Sequence, residues 1–270
     1  MYISDIPRAL HGNCYYLLSG FITIVTHVLS SPRMRLLQTI MDISSQLPST
    51  TYKKLSKLIH TKDIVSFLFV LVVMAICYNK LQFHPLHQLY TVYLSLVVFQ
   101  MDMLYMNCVC ILKACFKRIN DNLANLREPV MEDVPHLFRP RYHQQGNPFL
   151  LMELKALEKQ YLMIRNTVHM LNLIFSLQLL STIILTICEV TFNLYFYITE
   201  CINDDNDFMS KMQEDFWYWY FLISIVYQFF KMASIIWACE TGKNQALEIG
   251  TTIHIVFNSV DDENVKDEVM

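Results

Sequence analysis

Five long apolar segments, at 14–31, 64–78, 89–112, 170–198 and 216–238, constrain this chain more than any other feature. A spanning helix needs about 17–25 residues with few charges, and four of the five reach that length. The second is shorter, but Asp63 and Asn79 bracket it and suit the headgroup level. The connectors alternate in charge. Lys and Arg number one before the first segment, six in 32–63, one in 79–88, nine in 113–169, one in 199–215 and two in the tail. Basic connectors are retained in the cytoplasm. The alternation therefore places the N-terminus outside, 32–63 and 113–169 inside, and the C-terminus inside, as expected of a multi-pass plasma-membrane protein.

Composition narrows the class. With 54% hydrophobic and 17% charged residues, the chain is too apolar for a soluble protein of 270 residues. The expectation is an all-α, polytopic transmembrane helical bundle: one transmembrane domain over 1–270, five spanning helices, and the lipid bilayer as its main partner. The connector 199–215 sets Glu200, Asp204, Asp205, Asp207, Glu214 and Asp215 against Lys211 alone, and reads as a solvated outer loop.

Of the eight cysteines, Cys108, Cys110, Cys115, Cys188 and Cys239 lie within apolar segments or at their cytoplasmic ends and read as small hydrophobes. Cys14, Cys77 and Cys201 fall near the outer face, where one disulfide among them is compatible with an oxidising compartment. There is no Cys-x-x-Cys and no His-Glu-x-x-His, so no metal site is expected. Five glycines and no G-x-G-x-x-G, P-loop or G-x-S-x-G leave no phosphate cradle or nucleophile elbow. The reading is a non-enzyme without cofactor or nucleic-acid partner.

Two helices outgrow the membrane. The third segment continues without a breaker to Leu126, with Pro129 the first residue expected to stop it, and Lys113, Lys117 and Arg118 mark its exit from lipid. Leu150, Leu151, Leu154, Leu157, Tyr161, Ile164 and Val168 then recur at helical spacing into the fourth segment. A helix over 149–198 would be about 75 Å long against a hydrocarbon core of about 30 Å. The region 113–169 therefore reads as a cytoplasmic helical extension, packed either within the monomer or in a bundle between subunits. Leu36, Leu37, Ile40, Ile43 and Leu47 form a shorter stripe of the same kind.

Three charges fall inside apolar segments: Asp102, Glu189 and Lys231. A charge at mid-bilayer costs at least about 2.5–3.5 kcal/mol, so each needs a reason. Asp102 and Lys231 lie about thirteen and fifteen residues in from the outer ends of their helices, at matched depth for a buried ion pair. Glu189 sits nearer the outer face, one turn before Asn193. Tyr220, Ser224, Tyr227, Lys231 and Ser234 make a polar stripe on the fifth segment, and Tyr93, Gln100 and Asn107 recur at seven on the third. Such stripes either join helices, at about 0.6 kcal/mol per contact, or line an outward-facing small-molecule pocket. The candidate ligand residues are Tyr93, Gln100, Glu189, Asn193, Tyr220 and Tyr227.

Three stretches carry a family resemblance. They are F-K-R-I-N-D-N-L at 116–123, L-E-K-Q-Y-L-M-I-R-N-T-V-H-M-L-N-L-I-F-S-L-Q-L-L at 157–180, which includes His169, Asn172, Phe175 and Ser176, and C-E-T-G-K-N-Q-A-L-E-I-G at 239–250. They resemble, in order, the exit from the fourth helix, the approach into the fifth, and the loop after the sixth of the insect gustatory receptors. The resemblance implies a seven-helix chemoreceptor, a subunit of a tetrameric, non-selective cation channel gated by a small-molecule tastant, homomeric or mixed with other gustatory receptors. It maps the five segments onto that family's second to sixth helices. Family members begin in the cytoplasm, so the mapping puts Met1 outside, as the basic connectors do. It also implies a partial or decayed copy without the first and last helices. The family's last helix carries Thr-Tyr followed by Gln-Phe, whereas Thr51 and Tyr52 here run into Lys53 and Lys54. Such a chain is expected to insert without conducting by itself, and to associate with full-length relatives through 149–168. A G-protein-coupled receptor or transporter fragment is the alternative class. The chain has neither Asp-Arg-Tyr nor Asn-Pro-x-x-Tyr, and no spanning segment has an interior proline that would break it.

Overall fold

A computed structural model of the chain describes residues 5–80, 85–132, 148–203 and 216–259. These form six helices: α1 (Asp5–Val28), α2 (Ser30–Ser45), α3 (Ser49–Lys80), α4 (Pro85–Glu132), α5 (Pro148–Asn203) and α6 (Phe216–Ser259). Among the described residues only Leu29, Gln46, Leu47 and Pro48 lie outside a helix. The protein is an all-α polytopic membrane protein. Among the described residues four helices are long and apolar enough to cross a bilayer, and the bent pair α1–α2 makes a fifth if it counts as one span.

Local chemistry sets the boundaries. The apolar run predicted over 14–31 does not continue as one helix: α1 stops at Val28, and the chain turns by 66° into α2. Leu29 N–H still reaches Val25 O at 2.9 Å, and Arg33 N–H reaches Leu29 O at 3.0 Å. Between them, Pro32 has no N–H to give the Val28 carbonyl, and its ring crowds that carbonyl. Pro48 ends the α2 connection in a similar way, after tight bonds from Gln46 N–H to Ile43 O and from Leu47 N–H to Ser44 O.

Other breakers are weaker than the sequence suggested. The helix α4 runs three residues past Pro129 to Glu132. The stretch 239–250, expected to be a loop, instead continues α6 to Ser259. Gly242 and Gly250 cost about 1 kcal/mol each in a helix, and no proline follows to stop it. Pro148 occupies the first helical position of α5, where its missing N–H is not needed.

The chain divides into two compact units. The first comprises Met1–Arg35, Ser56–Asn107 and Asn172–Trp237. Ile22, Val98 and Leu185 form a buried cluster there, with Tyr15 and Leu18 packed against it, so α1, α4 and α5 meet. Ile64, Val65, Leu68, Leu71 and Val72 of α3 face outward, the arrangement expected of a lipid-facing helix. The second unit comprises Leu36–Leu55, Cys108–Leu171 and Ala238–Met270. Leu36, Ile40, Ile43 and Leu47 of α2 are buried, as are Phe116, Ile119 and Leu123 of α4, and Leu157 and Ile164 of α5. One small cavity has Ile43, Leu47, Cys115, Ile119 and Ile164 in its lining, and the Phe116 and Tyr161 rings lie 6.3 Å apart. The α2 stripe and the Leu157–Ile164 face are thus used within the chain. The side chains of Leu150, Leu151 and Leu154 lie outside the described residues.

Candidate functional site

Two groups of polar side chains in the first unit bear on the candidate site. The deeper one is built around Asp102 on α4, whose side chain is almost wholly buried. Lys231 Nζ on α6 lies 3.2 Å from Asp102 Oδ2, and Thr182 on α5 donates its hydroxyl to Asp102 Oδ1 at 3.2 Å. Asp102 and Lys231 are 1% and 9% exposed, so the carboxylate has exchanged water for one ammonium and one hydroxyl. In a low-dielectric interior a carboxylate is retained only with such partners.

Below the same helices sits a second buried cation. Arg33, at the start of α2, donates to Thr26 O at 3.4 Å, to Met101 Sδ at 3.2 Å and to Gln178 Oε1 at 3.3 Å. Its guanidinium carbon stands 4.9 Å from the centre of the Phe175 ring. The charge count had placed Arg33 in a basic connector. Its position one residue after Pro32 instead lets the bend at Leu29 turn its side chain into the helices. Gln178 is fully buried. It begins a stripe that was legible at helical spacing but not singled out: Gln178, Thr182, Thr186, Glu189 and Asn193 share one face of α5.

The second cluster surrounds Glu189. His11 Nε2 on α1 is 3.1 Å from Glu189 Oε1, and the imidazole centroid lies 5.1 Å from Phe192 and 5.9 Å from Phe196. One turn along α1, the Tyr15 hydroxyl contacts Ser95 Oγ at 2.6 Å and donates to Thr91 O at 3.2 Å. Tyr16 meets Thr91 Oγ1 at 2.9 Å and stacks on Tyr90 at 5.9 Å. Asn193 donates its amide to Ser224 Oγ at 3.1 Å, joining α5 to α6. Tyr227 is half-buried against Phe69 at 6.0 Å.

The six candidate ligand residues therefore do not all converge. Glu189 and Asn193 lie one turn apart in the second cluster, with Tyr227 on the neighbouring helix. Tyr93 and Gln100, of the period-seven stripe, share an exposed face of α4. Asn107, the third of that stripe, donates instead to Asp63 Oδ2 at 2.8 Å, and Lys62 Nζ lies 2.8 Å from Asp63 Oδ1. The side chain of Tyr220 lies outside the described residues. His11 was missed because it precedes the apolar run.

Cys14 and Cys188, the latter one residue before Glu189, are both half-buried free thiols. Cys77 and Cys201 lie outside the described side chains. Among the described residues no group of three or more His, Cys, Asp or Glu side chains is placed to hold a metal ion.

What the arrangement can do is bind a small molecule with a few polar groups. It offers aromatic walls, a part-buried carboxylate, hydroxyls and an amide on four helices, above an ion pair that fixes three of them. No curated protein matches the chain. The sequence profile of the 7tm Chemosensory receptor family matches residues 13–270, nearly the whole chain, in agreement with the resemblance to insect gustatory receptors. On that match, the chain belongs to the 7tm chemosensory receptor family.

Proposed function

We propose that this chemoreceptor is a gustatory receptor, a subunit of a tastant-gated, non-selective cation channel in the plasma membrane with its C-terminus in the cytoplasm. It would assemble as a tetramer, alone or with other gustatory receptors. The family match over 13–270 carries the reading. The cluster around Glu189 supports a ligand site, because its contacts are ones that a ligand's polar groups can replace. A His–carboxylate contact and an Asn–Ser bond cross between helices there, at 3.1 Å each.

Binding shifts a receptor between states only by its differential affinity for them. Exchanging the α1–α5 and α5–α6 contacts for ligand contacts supplies that difference, while Asp102, Thr182 and Lys231 hold α4, α5 and α6 together beneath. Apolar walls discriminate related molecules by about 1–3 kcal/mol per small group, so the few polar positions set selectivity. The orientation rests on the seventeen basic residues of the inner connectors and tail against three outside.

Calcium imaging with a panel of tastants tests the site, in cells expressing the chain with other gustatory receptors. Glu189→Gln and Asn193→Leu should raise the half-maximal concentration without lowering surface expression. Unchanged concentration–response curves in both variants would refute the ligand site.

A further inference from the structure

Near the start of α1, the His11 side chain covers a carboxylate and two aromatic rings whose chemistry suits a different occupant. Glu189, Phe192 and Phe196 lie at i, i+3 and i+7 on one face of α5. The two phenyl rings are stacked with centroids 6.4 Å apart, and the His11 imidazole sits against both, with Nε2 3.1 Å from Glu189 Oε1. The contact is only partly covered, with the His11 and Glu189 side chains 29% and 16% exposed.

A carboxylate beside two aromatic faces complements a cation. The ring quadrupole attracts positive charge within about 6 Å, by about 0.5–1 kcal/mol at exposed sites and about 2 or more when desolvated. A free organic cation can place its charge against both rings and the carboxylate, whereas the His11 imidazole arrives at an angle fixed by α1. Lys231 also lies within electrostatic range of Glu189, but its ammonium is committed to Asp102 at 3.2 Å. Tyr15 and Cys188, which also lie near Glu189, bring no cation.

We infer that Glu189, Phe192 and Phe196 form a binding site for a small organic ammonium ion, which His11 fills in the ligand-free protein and vacates on binding. This gives the outer site of the proposed receptor its ligand class. Its effect on gating rests on that reading, whereas the binding itself does not.

Choline and its neutral carbon analogue 3,3-dimethylbutan-1-ol separate charge from shape. Each is titrated into the full chain in nanodiscs, with saturation-transfer NMR on the probe and the His11 ring resonances followed in parallel. Choline should bind about tenfold more tightly than the analogue and shift the His11 resonances. Glu189→Gln should weaken choline about tenfold, and His11→Ala, which removes the competitor, should strengthen it. Equal binding of choline and analogue to the unmodified chain overturns the inference even if the Glu189 variant does not fold. Weaker choline binding in His11→Ala also overturns it. Choline binding without any evoked current supports the cage and counts against the channel reading. A current evoked by other compounds, with no choline binding, refutes the cage alone.

Discussion

Replacing Asp102 by Asn leaves the Lys231 ammonium buried without its counter-charge, and replacing Lys231 by Met does the same to the carboxylate. At 3.2 Å, the attraction is about 5 kcal/mol for an effective dielectric of about 20. Breaking a buried pair from one side is measured at about 3–5 kcal/mol, whereas removing both charges is often close to neutral. Each single variant should therefore lose about 3–5 kcal/mol, and the double variant far less than their sum, a coupling of at least about 2 kcal/mol. Equilibrium unfolding of the purified chain in mixed micelles gives the four free energies of the cycle. Thr182 leaves the carboxylate one hydroxyl in every background, so the Lys231→Met loss should fall at the low end of the range. Losses that add within about 0.5 kcal/mol would mean that the two residues do not interact, and the ion-pair argument would fail.

Arg33→Lys should destabilise nearly as much as Arg33→Met, by about 2 kcal/mol, because a point-like ammonium cannot span Thr26 O, Met101 and Gln178 or stack on Phe175; melting temperatures compare them. Asn193→Leu and Ser224→Ala should each cost about 0.6 kcal/mol and the pair no more than one alone, since they share a single bond; the same unfolding assay reads this. Leu157→Ala should cost about 2–5 kcal/mol in the isolated chain, because the side chain is already buried there, and protein concentration should not alter the loss. A tag inserted at Gln144 should stain only after permeabilisation and one at Asn206 on intact cells, with the reverse pattern overturning the proposed orientation.

The parts of the fold that hydrophobic periodicity controls were legible in the sequence. The apolar segments that became the long helices, the length of α5 and the buried α2 stripe of Leu36, Ile40, Ile43 and Leu47 follow from apolar spacing, whereas the break between α1 and α2 and the run of α6 to Ser259 do not. Breakers were harder to weigh. Pro32 ends a helix because its missing donor faces Val28 in mid-run, whereas Pro129 and Gly242 fall where the helix continues past them. The depth argument paired Asp102 with a lysine on another helix because both lie in helices whose rise is fixed. Contacts from helix ends carry no such ruler. His11 and Arg33 reach Glu189 and Gln178 from positions 178 and 145 residues away in sequence, set by how α1 and α2 leave the bend at Leu29. The period of seven sets Tyr93 and Gln100 within about 20° of each other on α4, but it does not say which way that face looks.

Whether the receptor itself passes current is measured most directly by voltage clamp of cells expressing the chain with other gustatory receptors, with GDP-β-S in the pipette to silence G-proteins. The account predicts a tastant-evoked cation current that depends on this chain, carries sodium and potassium alike, survives GDP-β-S, and needs more ligand when Glu189 is replaced by Gln. A response that GDP-β-S abolishes, or no chain-dependent current although the chain is at the cell surface, would contradict it.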